Sequence, residues 1–313
     1  MFNDRFRSGR AMLCALIALF FTTLGFGAAA AQPSPARAQV AAEAPGFTSD
    51  RISVEVVGDG PDVVLIHGLA SSRETWRGLA QALSGRHRLH LIQVSGFAGA
   101  PAPDGDGAVW APMVDEAARY IREQGLERPA FIGHSMGGAS GLMLAQRHPD
   151  LIGRVMVVDA LPFFSALFGP QVTAASAEPF AAAAHDQVLA ADDAAYARMQ
   201  QGTAATMVAD EAARAEVLAW SMASDRGFTA RALREIMTTD LREGLADMTT
   251  PVTVLYAWHT AMNMPASQTD ALYAREYAGL PGARLVRVDE ALHFIMLDQP
   301  EAFLAQVEAF LAE

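Results

Sequence analysis

Residues 131–140 read FIGHSMGGAS, and inside them Gly133-His134-Ser135-Met136-Gly137 forms a G-x-S-x-G pattern. Glycines at both ends of such a pattern leave room for a sharp reversal, which suits a strand running straight into a helix. The serine at the corner is then held in a strained conformation with its Oγ exposed. The N–H groups that open the helix can face a developing negative oxygen. The chemistry this serves is attack by an activated hydroxyl, and that needs a base. The pattern alone recurs by chance, so its context decides. An apolar run precedes it at 130–133, and a segment with helical spacing follows at 137–147.

The elements that must hold this turn can be traced along the chain. Residues 52–57 alternate apolar and polar, as an antiparallel edge strand would. DVVLI at 62–66 is a short continuous apolar run, the pattern of a buried parallel strand, and 89–94, 130–133 and VMVVD at 155–159 resemble it. Strand character returns at 252–257 and 284–288. Helices are expected over 74–83, 114–124, 137–147, 270–277 and 300–311, with Ala117, Tyr120 and Ile121 sharing one face of the second. GFAGAPAPDGDG from Gly96 reads as a loop. Strands alternating with helices imply an α/β fold: a mostly parallel central sheet with helices on both faces. The alternation stops between 161 and 247. That block is rich in Ala and Met at helical spacing, and breaks near Gly169-Pro170, Gly202 and Gly227 imply four helices inserted after the strand ending at Asp159.

Bulk composition narrows the function. With 313 residues, 51% of them hydrophobic and 19% charged, the chain can bury a large core. It contains no Lys, which excludes a Schiff base. The net charge of −12, without a basic stripe, argues against a nucleic-acid partner. MFNDRFRSGR, the apolar run 11–27 and the small-residue stretch AAAAQPSPARAQ follow the order of a secretory signal, with cleavage after Ala31 or as late as Ala38. The alternative is an uncleaved anchor, since the run is near the lower limit of about 17 residues for a span. Membrane contact is expected only through this segment, and export to the periplasm or beyond is the reading it supports. Its removal takes away Cys14, the only cysteine, so no disulfide is expected. Residues 32–48 read as a flexible leader, with order beginning near Ile52.

The chain resembles an α/β-hydrolase-fold serine hydrolase of the lid-bearing esterase type, from about Ile52 to its end. The G-x-S-x-G turn carries this likeness together with His67-Gly68 after DVVLI and LVRVDEALHFIMLDQPEAF at 285–303. The resemblance implies Ser135 as nucleophile and His293, after the last strand, as the base. It implies an oxyanion hole from the backbone N–H groups of Leu69 and Met136, with His67 a structural hydrogen-bonding residue. It divides the chain into a core at 49–160 and 248–313 and a helical lid at 161–247.

The acid is the open question. In this family it usually follows the penultimate strand, and there the chain reads Ala257-Trp258-His259-Thr260, with no carboxylate. The family also uses the end of the strand after the nucleophile helix, which is Asp159 here. Asp240, Asp289, Glu290 and an acid-free Ser–His pair are rivals, and Asp298 reads as a cap for the helix starting at Pro300. Phe163, Phe164, Trp258 and His259 are candidate pocket residues, favouring a small hydrophobic acyl substrate. No metal or cofactor is expected, since no metal-binding spacing and no phosphate loop are present. The activity implied is cleavage of an ester-like bond. Lactone hydrolysis, C–C bond hydrolysis and acyl transfer would use the same Ser–His machinery. The competing class is a binding protein that keeps the fold without its acid.

Overall fold

In the computed structural model, which describes residues 42–44 and 46–313, eight strands form one sheet. They are β1 (Ala42–Glu43), β2 (Ile52–Val57), β3 (Asp62–Ile66), β4 (Arg88–Val94), β5 (Ala130–His134), β6 (Arg154–Val158), β7 (Val252–Trp258) and β8 (Arg284–Asp289). The spatial order is β1-β2-β4-β3-β5-β6-β7-β8. Only β1 with β2 and β2 with β4 pair antiparallel; the remaining pairs are parallel. The expected signal segment and leader residues 32–41 lie outside the described residues.

Period-two alternation splits the buried strands between two hydrophobic layers. Val64, Ile66, Val155 and Val157 pack on one face with α2 (Trp110–Glu123) and α3 (Met136–Arg147). Val63, Leu65, Met156 and Val158 pack on the other with α1 (Arg77–Leu83) and a C-terminal helix at Pro300–Ala312. Ala117, Tyr120 and Ile121 are all buried, as their spacing predicts. Covering both faces is why these strands read as unbroken apolar runs.

Order begins before Ile52. Ala42 pairs with Val56, and the Ala44 N–H donates to the Val54 carbonyl at 2.9 Å. Phe47 packs edge-on against Tyr120, with ring centroids 5.0 Å apart. Composition alone reads this segment as leader because the two-residue strand is too short to leave a pattern.

Between β6 and β7 stand four helices: α4 (Ala174–Ala190), α5 (Asp193–Met207), α6 (Glu211–Met222) and α7 (Arg226–Thr238). Their number matches the sequence reading, and so does the break near Gly227, where α7 starts one residue earlier, but Gly202 lies inside α5. The three breaks between these helices fall at Asp192, Asp210 and Asp225. Each carboxylate accepts the backbone N–H three residues on, at 2.7, 2.8 and 2.7 Å. Aspartates that satisfy the orphan N–H groups of a helix start are stronger boundaries than a tolerated interior glycine. Among the described residues, three further α-helices follow: α8 (Ala266–Glu276), α9 (Ile295–Asp298) and α10 (Pro300–Ala312). Among the described residues, no helix is long and apolar enough to cross a membrane.

Candidate active site

β5 ends at His134 and α3 begins at Met136, so Ser135 alone makes the corner. Its backbone sits at φ 55°, ψ −121°, a conformation costing about 1–3 kcal/mol for a residue with a side chain. The flanking glycines make the reversal possible by close approach. A Cβ on Gly133 would lie 2.1 Å from the Gly137 carbonyl oxygen, and one on Gly137 would lie 2.2 Å from that of Ile66. The Ser135 N–H donates to Val158 at 2.9 Å, tying the corner to β6. A Cβ on Gly68 would stand 3.0 Å from the Ser135 Cβ, so the turn after β3 lies against the nucleophile candidate. Leu69 follows in that turn, half-buried. Met136 opens α3, where N–H groups have no intrahelical acceptor.

Strand register then brings the second group in. His134 pairs with Val158, so the next residues, Ser135 and Asp159, leave the carboxyl edge of neighbouring strands side by side. Asp159 adopts φ 50°, a left-handed conformation that aspartate tolerates better than most residues. Its Oδ2 lies 2.7 Å from His293 Nδ1. Its Oδ1 accepts the Ala257 N–H and the Tyr273 hydroxyl, each at 2.9 Å. The rivals are engaged elsewhere. Asp240 pairs with Arg242, Asp289 with Arg287, and Glu290 lies 3.7 Å from His259.

Tyr273 carries no sequence signal of its own. It is buried on α8, stacked between Tyr256 and Tyr277 at centroid distances of 4.3 and 6.4 Å. Burial and the neighbouring Asp159 carboxylate push its hydroxyl well above the usual tyrosine range, so it remains a donor. A hydrogen bond to a charged group contributes about 1.5–3 kcal/mol. Tyr273→Phe is therefore expected to lower kcat about tenfold, through looser placement of the Asp159 carboxylate. A kcat equal to wild type would reduce Tyr273 to a packing residue.

Two other histidines brace the site. His134 Nε2 lies 3.0 Å from the His293 carbonyl, which can only accept, so that nitrogen carries the proton. Its ring is 4.5 Å from the His293 ring. Burial first, and the neighbouring His293 second, push His134 well below the usual histidine range. His67 donates from Nδ1 to the Gly68 carbonyl at 2.8 Å and accepts the Val94 N–H at 3.1 Å. It ties the turn after β3 to β4, and burial pushes it down to about 4.

The depressed value fixes a sign. An unfolded histidine titrates near 6.5, so the unfolded chain takes up this proton first as pH falls. The stability His67 contributes is complete above about 6.5 and is lost as pH drops through about 4, roughly 3 kcal/mol in all. Urea unfolding at pH 7 and pH 4.5 is expected to show this loss, with a shallower slope in His67→Gln. Equal slopes in the two proteins would remove His67 as its source.

The sequence profile of the alpha/beta hydrolase family matches residues 63–306. The chain belongs to the α/β-hydrolase family. A pimeloyl-acyl-carrier-protein methyl ester esterase of Aeromonas hydrophila is 27% identical over 268 residues, 83% of this chain and 99% of that protein. The protein of the same name from Nitrosomonas europaea is 28% identical over 269 residues, 82% and 98% of the two chains. Among solved structures, a Pseudomonas aeruginosa hydrolase superposes with a TM-score of 0.69 at 25% identity, covering 88% of this chain and 100% of that one. The enol-lactonase of Burkholderia xenovorans shares the fold at TM-score 0.68 and 22% identity, covering 84% and 96%. The chain is thus an α/β hydrolase, which counts against the reading as a non-catalytic binding protein.

Within this α/β hydrolase, the expected pocket residues are placed unevenly. Phe163 is fully buried in the core, with the Arg242 guanidinium 4.7 Å from its ring. It packs the start of the helical insertion rather than lining a cleft. Phe164 is half-buried, 6.1 Å edge-on from Phe168. Trp258 donates its indole N–H to the Met264 carbonyl at 2.8 Å, and His259 Nδ1 accepts the Ala261 N–H at 3.0 Å. These two bonds close the 258–264 loop on itself. Asp298 does not cap α10 either. Its Oδ2 accepts the Leu292 N–H at 2.8 Å, and its Oδ1 accepts the N–H groups of Ala209 and Asp210 at 2.9 and 3.0 Å.

Proposed function

We propose that this chain cleaves an ester-like acyl bond of a small hydrophobic substrate through an acyl-enzyme on Ser135. The observation carrying the reading is the 2.7 Å contact between His293 Nδ1 and Asp159, beside a serine held at a strained corner. A carboxylate on Nδ1 fixes the tautomer, so the Nε2 lone pair faces outward as the base. In this reading Nε2 takes the Ser135 proton as Oγ attacks the acyl carbon. The N–H groups of Leu69 and Met136 hold the oxyanion, and the imidazolium returns the proton to the leaving alcohol. Water repeats the sequence on the acyl-enzyme, with the same ring as base, and frees Ser135.

The names of the curated relatives put methyl esters first among candidate substrates. The test is a panel of acyl chain lengths, lactones and amides, run beside labelling with a fluorophosphonate probe. Labelling of the folded protein at Ser135, with alkyl or aryl esters turned over fastest, supports the reading. A folded protein that takes no label would sink it, and lactones turned over faster than esters would redirect it. We further infer export, from the N-terminal signal pattern. Finding the full-length chain in the cytosolic fraction of its native cells would overturn that.

A further inference from the structure

The histidine at 293 is gripped at three consecutive backbone positions, by three different parts of the chain. The Leu292 N–H donates to Asp298 Oδ2 at 2.8 Å. The His293 carbonyl accepts from His134 Nε2 at 3.0 Å. The Phe294 N–H donates to the Met207 carbonyl at 3.1 Å. Two of these three grips converge on the corner between α5 and α6. Asp298 Oδ1 accepts the N–H groups of Ala209 and Asp210 there, while Met207 belongs to the last turn of α5. Asp298 therefore spans the gap: one oxygen holds the base's loop, the other holds the helical insertion. An ordinary cap would serve the helix that follows it, yet α10 has no side-chain cap at its start.

We propose that Asp298 is a positioning residue that docks the 207–210 corner of the insertion onto the loop carrying His293, so that this corner helps hold the base against Asp159. This rests on the serine-hydrolase reading above. The physical reason is that a loop between β8 and α9 has few backbone partners of its own. Charge-assisted bonds to three N–H groups are among the stronger ways to fix it.

The test compares Asp298→Asn and Asp298→Ala with Asp192→Ala. Asp192 caps the far end of α5 and lies outside the triad's loop, so its loss removes a cap of similar kind from the same helix. All are assayed on an aryl ester, with folding followed by melting temperature. The Asp298 variants are expected to lose on the order of 100-fold in kcat, the scale of a small misplacement of a catalytic group. KM should stay close to wild type. The acid limb of the pH–rate profile should move to lower pH, because a ring held less closely by Asp159 is less stabilised when protonated. Asp192→Ala should lower the melting temperature and leave kcat and the limb alone. Should Asp298→Ala fail to fold, Asp298→Asn, which keeps one acceptor oxygen, decides. A folded Asp298→Asn that behaves like Asp192→Ala, or changes KM alone, overturns the proposal. Ser135 labelling and ester turnover by the wild type, measured in the same series, show separately whether the underlying reading stands.

Discussion

Ser135→Ala is expected to abolish ester turnover while leaving the protein folded. The fall should be on the order of a millionfold in kcat, the size seen when a nucleophile that works as one unit with its base is removed. The fold should survive because the corner's geometry does not depend on the hydroxyl. Gly133 and Gly137 supply the close approach, and the Ser135 N–H to Val158 bond is a backbone bond that alanine keeps. The strained φ of 55° is as costly for alanine as for serine, so the melting temperature should stay near the wild-type value. The check is paired: circular dichroism with aryl-ester turnover, and intact mass after fluorophosphonate treatment. Turnover within tenfold of wild type, in a protein that still melts normally, would mean the bond is broken by another group. Residual catalysis above water would be informative too, since binding and oxyanion donors alone retain some acceleration.

How much of this site was legible depended on whether a residue's partner lies nearby in sequence or across the fold. The corner at Ser135 was legible because its constraint is local: two glycines, a strand before and a helix after. The two-layer core was legible from apolar runs, since burial on both faces leaves a pattern in the residues themselves. Order before Ile52 was not, because β1 is two residues long. The helix break expected near Gly202 was misplaced because an interior glycine is a weaker signal than an aspartate followed by a helix. Tyr273 and Asp298 were missed or misassigned for a different reason. Tyr273 meets Asp159 across 114 positions, and Asp298 reaches Ala209 across 89. No local pattern encodes such bonds. The spacing of Tyr273 and Tyr277 on one helix face was available, but it reads first as core packing. His134 was similarly passed over, because its role depends on the His293 backbone lying within reach.

The loop at 258–260 carries no carboxylate, and the consequence for catalysis turns on Asp159. Asp159→Asn is expected to lower kcat by about 10⁴, the scale of losing the correct histidine tautomer. The donors around the carboxylate set this outcome. Oδ1 accepts from the Ala257 N–H and the Tyr273 hydroxyl, so an asparagine would place its carbonyl oxygen there. Its NH₂ group would then face His293 Nδ1 and donate to it. That forces the ring's own proton onto Nε2, where it can no longer take one from Ser135. Asp159→Ala removes the carboxylate without imposing a tautomer, so it should be less damaging than Asn despite being the larger deletion. Fluorophosphonate labelling rates should fall in the same order, because acylation needs the same proton transfer. Near-normal turnover by a folded Asp159→Asn would show that the contact with His293 is structural, and would return the search for an acid to the remaining carboxylates. An Ala variant as inactive as Asn, with both folded, would separate loss of charge from loss of tautomer. The 2.7 Å contact would then matter through its charge.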